Sequence, residues 1–178
     1  MKRIAFVMYA VLALLVAACS NNPVAVDPEN GTTSEQTAKE EKQQTLTLYY
    51  VDNDVTKLVE EKQQINKPES DKAKYEKAKY EKAMELLGKP TKPEHNPLWK
   101  DFGYHSITFE NGTLTIDAKG TNQYNLGSGG EGFAIDALKQ TMFQFPEVMK
   151  IIVLVDGKKT ESLMGHVSID EPLTRSTP

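Results

Sequence analysis

The order of apolar and polar positions divides the chain into a fully apolar start, a long polar stretch and a patterned remainder. Ile4 to Ala18 is unbroken apolar sequence after Lys2 and Arg3. At about 15 residues it falls short of the roughly 20 needed to span a bilayer. Ser20 to Gln44 has no aromatic residue and almost no aliphatic one, which reads as a flexible tether. A binding tail is the alternative. From Thr45 the pattern changes. Thr45 to Val51 is a β-branched and aromatic run closed by Asp52-Asn53-Asp54, which predicts a strand. Leu58 to Ile65 is apolar only at its ends and predicts either an edge strand or the start of a loop. Asp71 to Leu87, capped by Ser70 and stopped by Gly88 and Pro90, predicts a helix with a stripe of Ala73, Lys77, Tyr80, Met84 and Leu87. Tyr75 and Tyr80 read as packing residues rather than ligand contacts.

Lys89 to Gly103 contains three prolines and reads as an irregular connection pinned by Leu98 and Trp99. Alternation on both sides of Asn111-Gly112 predicts a hairpin in which Ile107 and Phe109 share a face with Leu114 and Ile116. A loop follows to Gly130. A helix is then predicted from Glu131 to Phe145, ended by Pro146, with Phe133, Ala134, Ala137, Leu138, Thr141, Met142 and Phe145 at helical spacing. Lys150 to Asp156 is apolar on both faces, the pattern of a central strand, and Asp156-Gly157 turns the chain. Together these elements predict an α+β fold, a small mixed sheet with two helices on one face, and exclude a pure bundle or β-sandwich.

The start of the chain carries the sharpest chemical signal. Val16-Ala17-Ala18-Cys19 resembles a lipobox, in which the cysteine thiol takes a diacylglycerol and cleavage follows Ala18. Residues 1–18 are then a signal peptide, residues 19–44 a lipidated Cys19 and its tether, and residues 45–175 the folded domain. Cys19 is the chain's only cysteine, so no disulfide within the chain supports the fold. Two acyl chains suffice for anchoring, at about 0.8 kcal/mol per buried methylene. The formal net charge of −4 argues against nucleic acid as a partner.

Gly127-Ser128-Gly129-Gly130-Glu131-Gly132 has the form of a dinucleotide fingerprint, but the element before it is a hairpin that ends too early. The glycines read instead as a tight, positive-φ entry into the helix. His95, His105 and His166 lie in separate segments without metal-ligand spacing, so no metal and no cofactor is expected. Carboxylate pairs such as Glu40-Glu41 and Glu60-Glu61 read as solvated. No nucleophile-elbow or H-E-x-x-H pattern is present, and no residue is assigned a catalytic role.

In the C-terminal half, Thr141 to Val148 (TMFQFPEV), the strand running into Val155-Asp156-Gly157-Lys158, and Pro172-Leu173-Thr174-Arg175 resemble the GerMN domain of sporulation and spore germination, common in bacterial envelope lipoproteins. The resemblance implies a non-catalytic scaffold or binding module in the cell envelope, and Ser20, where an aspartate would retain a lipoprotein at an inner membrane, leaves an outer membrane open if the cell has one. The resemblance also implies an element order similar to that of ring-building modules. The expected partners are the membrane, through the lipid, and an envelope protein or a second copy of the chain. A peptidoglycan or small-ligand binding module is the first alternative, and a cell-wall hydrolase the second.

Overall fold

The computed structural model describes residues 42–67 and 72–175. The signal peptide, Cys19, most of the tether and the Ser70 cap lie outside the described residues. The elements are β1 (Lys42–Val51), β2 (Leu58–Lys67), α1 (Lys72–Leu87), β3 (Tyr104–Glu110), β4 (Thr113–Ala118), α2 (Gly127–Met142), β5 (Lys150–Val155), β6 (Lys158–Lys159) and β7 (Leu173–Thr174).

The fold is α+β as expected, with one revision: the strands form two sheets rather than one. β1 and β2 make an antiparallel ribbon of ten paired residues, from Lys42 opposite Lys67 to Val51 opposite Leu58. The segment from Leu58 is therefore a full strand, and β1 starts three residues before the expected Thr45 because Lys42 to Gln44 have partners across the ribbon. The second sheet has the order β3-β4-β5-β6, with β7 also on β5. β3 and β4 form the expected hairpin; Asn111 and Gly112 both have positive φ, 48° and 80°, the backbone of a type I′ turn. β4 and β5 are parallel and joined through α2, so the sheet is mixed and β5 is central.

α2 begins at Gly127, four residues before the expected Glu131. Of the glycines in the fingerprint-like segment only Gly127 has positive φ (65°); the rest lie within the first helical turns. The helix also ends earlier than expected, at Met142, and Phe145 is buried in the turn beyond it.

One hydrophobic cluster gathers both sheets and both helices. The ribbon contributes Leu46, Leu48, Tyr50 and Ile65; α1 contributes Tyr75, Tyr80, Ala83, Met84 and Leu87; α2 contributes Ala134, Ile135, Leu138 and Met142. From the larger sheet come Ile107, Leu114, Ile116, Ile151 and Val153, which strand alternation places on one face. Trp99 performs its expected role: it is 4% exposed and donates from Nε1 to the Ala134 carbonyl at 2.8 Å. Among the described residues no helix is long and apolar enough to cross a membrane.

A single buried side-chain polar atom among the described residues, Thr141 Oγ1, has no hydrogen-bond partner. Thr141→Val removes this desolvated hydroxyl at almost constant volume. It should raise stability by about 1 kcal/mol, read as a higher Tm in thermal unfolding.

Candidate functional site

Two carboxylates, Glu61 and Glu131, are among the most buried groups in the domain. Glu61 is 3% exposed. Strand alternation explains why, since Val59, Glu61, Gln63 and Ile65 share the inward face of β2. It accepts from the backbone and hydroxyl of Thr91 at 2.9 and 2.8 Å and from Gln63 Nε2 at 2.7 Å, and lies 2.8 Å from His95 Nδ1. His95, itself buried, stacks on the Tyr50 ring at 5.7 Å. Burial pushes the Glu61 carboxyl up, but these hydrogen bonds outweigh it and hold the group at about 2, below the ordinary 4.5. The expectation of a solvated Glu60-Glu61 pair is corrected for Glu61. Its carboxylate pins the Lys89–Gly103 connection to the ribbon.

Glu131 is fully buried. Its Oε1 accepts from Ser162 Oγ at 2.7 Å and from the N–H groups of Leu163 and Met164 at 3.1 and 2.9 Å; Oε2 accepts from His166 N–H at 2.9 Å. The loop after β6 is thus an anion nest filled by the protein's own carboxylate. Burial raises the Glu131 pKa and the Ser162 hydroxyl and the nest lower it, with a net lowering. The signal in the sequence was the helical spacing of Glu131, Ala134, Ile135 and Leu138, which puts an acid on the core stripe.

Side-chain amides bridge elsewhere. Gln144 accepts from Thr47 N–H and donates to Thr47 C=O, both at 2.9 Å, pairing with β1 as a neighbouring strand would. Asn122 does the same to Gly103, both bonds at 2.8 Å. The second clamp shapes a trench of about 510 Å³ between the Pro97–Gly103 and Lys119–Leu126 segments.

The three histidines do not meet. His95 is in the Glu61 cluster, exposed His105 pairs with Asp156 at 2.8 Å, and His166 enters the nest through its backbone. Among the described residues no group of three or more His, Cys, Asp or Glu side chains is arranged to hold a metal.

The open features are the sheet edges. The outer edge of β5 is covered by the two short strands β6 and β7, and β2 carries Glu60, Lys62 and Lys67 along its length. β1 is closed at Thr47 by Gln144 and at Val51 by Asn96. β3 ends the larger sheet, and among the described residues no strand pairs with its outer side. The two-residue turn makes Glu110 and Thr113 a hydrogen-bonded pair, so the N–H and C=O of Phe109 and Ile107 point to the open edge.

Because the folded Glu61 carboxyl titrates near 2, its contribution is complete above about pH 4.5 and is lost as pH falls toward 2. Acid unfolding should show a loss of about 3 kcal/mol across that window, and Glu61→Gln should flatten the slope. Glu131→Ala leaves the nest N–H groups unpaired and should cost at least about 3 kcal/mol, measured by urea unfolding.

The sequence model of a family described as sporulation and spore germination, Germane, matches residues 47–161. No curated protein matches the chain. Among solved structures, a Clostridium perfringens protein assigned provisionally as a lipoprotein is 22% identical with TM-score 0.51, covering 75% of this chain and 88% of that one. The first GerMN domain of the sporulation protein GerM from Bacillus subtilis is 17% identical with TM-score 0.57, covering 74% of this chain and 97% of that one. The tandem GerMN domains of the same protein are 20% identical with TM-score 0.54, covering 75% of this chain and 46% of that one, so the chain spans about half of the pair. The family model spans more than half of the chain and the fold is like that of solved GerMN domains: this chain belongs to the GerMN family of sporulation and spore germination domains.

Proposed function

We propose that this chain is a lipid-anchored protein of the bacterial cell envelope whose domain acts as a non-catalytic interaction module in sporulation, germination or envelope assembly. The lipobox at Cys19 supports the anchor, and the structural likeness to the Clostridium perfringens protein is in keeping with it. Family membership supports the sporulation or germination context.

The observation that carries the interaction reading is the open edge of β3. Its Tyr-His-Ser-Ile-Thr-Phe-Glu sequence has no proline and no lysine, and the irregularity at Tyr104/Ser106 leaves Ser106 to Glu110 regularly paired to β4. An extended segment of a partner, or the same strand of a second copy, can add there through backbone hydrogen bonds.

Ser106 and Thr108 are exposed, so Ser106→Lys/Thr108→Lys blocks the edge without disturbing the core. In-cell crosslinking of the tagged full chain should capture a defined envelope complex or a second copy. The capture should be lost in the double lysine variant and in unanchored Cys19→Ala. Undiminished capture by the double variant would contradict strand addition at β3; undiminished capture by Cys19→Ala would contradict the anchor.

A further inference from the structure

The trench between Pro97–Gly103 and Lys119–Leu126 lies apart from the β3 edge and from every group assigned above except the Asn122 clamp. Both of its walls are irregular chain, and one clamp joins them. Gly103 gives its N–H to Asn122 and its C=O to Asn122 and Lys119, and Asn122 N–H bonds the Lys119 carbonyl. The two walls are therefore joined before any ligand arrives, and the side chains that line the trench set its chemistry.

Those valences have a consistent chemistry. Gln123 and Asn125 present exposed carboxamides, each able to donate and accept; among the described residues Asn125 makes no side-chain hydrogen bond and Gln123 only a long one, 3.5 Å, to Thr121. Tyr124 accepts from Asn122 at 3.2 Å, which leaves its own hydroxyl proton to donate; burial raises its pKa, so the proton is retained. Phe102, half-buried and held edge-on by Trp99 at 4.8 Å, supplies an apolar surface. Lys100 and Lys119 on the rim are exposed and make no ion pair among the described residues. With Asp101 opposing them, the lining still has one excess positive charge on a chain of formal charge −4.

Neutral hydrogen-bonding side chains next to aromatic rings suit a ligand with many hydroxyls and amides and an apolar C–H face. The positive excess suits one that also carries carboxylates. We propose that this trench binds a carboxylate-bearing saccharide chain, of the hydroxyl, N-acetyl and lactyl chemistry found in bacterial wall glycan. A volume of about 510 Å³ falls in the range of ligand sites and holds a few sugar units of such a chain.

The test is calorimetric titration of the full chain in detergent with three probes. They are a tetrasaccharide alternating N-acetylglucosamine and N-acetylmuramic acid with free lactyl groups, the neutral N-acetylglucosamine tetrasaccharide, and tetraglutamate. The acidic saccharide should bind about tenfold more tightly than the neutral one. Tyr124→Ala should weaken both about tenfold, and Lys100→Gln/Lys119→Gln should bring the acidic saccharide to the level of the neutral one. Circular dichroism confirms that each variant is folded. The Ser106→Lys/Thr108→Lys variant should bind as the parent does, which separates this site from the β3 edge. No binding of the acidic saccharide at millimolar concentration, or binding unchanged in the trench variants, would overturn the proposal. Equal or tighter binding of tetraglutamate through the same residues would overturn the saccharide class.

Discussion

The turn that follows α2 holds the domain together, because its residues reach β1, α1 and the C-terminal segment at once. Met142 and Val148 are buried in the core. The Phe143 ring lies under the Arg175 guanidinium at 5.3 Å, and the same arginine donates to the carbonyls of Phe145 and Val148. Gln144 bonds both backbone groups of Thr47 in β1. The Phe145 ring meets Tyr80 of α1 edge-on at 5.0 Å. Glu147 accepts from Tyr80 at 2.8 Å and pairs with Lys79, a lysine only 7% exposed. Burial lowers the Lys79 pKa, but the carboxylates of Glu147 and Glu76 raise it by more, so the cation is kept. Thr141–Val148 and the C-terminal Pro172–Arg175, far apart in sequence, are thus one junction, and they are the segments in which the family resemblance was sharpest.

That junction is needed because, among the described residues, no strand ladder links the β1–β2 ribbon to the larger sheet. Side chains take the place of backbone. Gln144 and Asn122 each bind an N–H and a C=O of one residue, and Glu61 and Glu131 each gather donors from a loop that has little regular structure of its own. A buried carboxylate is costly unless its lone pairs are satisfied, and these two have several donors apiece. The consequence is a rigid platform whose long connections are fixed in place.

The sequence pattern disclosed what depends on periodicity and turn chemistry. The β3–β4 hairpin was legible from Asn111-Gly112, the central β5 from its doubly apolar run, and Trp99 from its isolation among prolines. The split into two sheets was not, since alternation in β1 and β2 states which face is buried but not which strands lie beside them. The start of α2 was misplaced because a run of glycines disfavours helix by propensity; here tertiary contacts made by Glu131 and Leu126 override it. Glu61 and Glu131 were concealed by residue type. Their positions on inward stripes marked them as buried, while their charge suggested solvent. Gln144 and Asn122 left no sequence signal, because an amide clamp is defined by a distant partner's backbone.

The Gln144 clamp couples the ribbon to the rest of the domain. Native-state hydrogen exchange on Gln144→Ala reads it directly. The loss of its two hydrogen bonds to Thr47 should lower protection in β1 and β2 by about 2 kcal/mol while the amides of β4 and β5 keep theirs. An equal loss of protection in both sheets, or no loss in either, would show that the ribbon is held by something other than this junction.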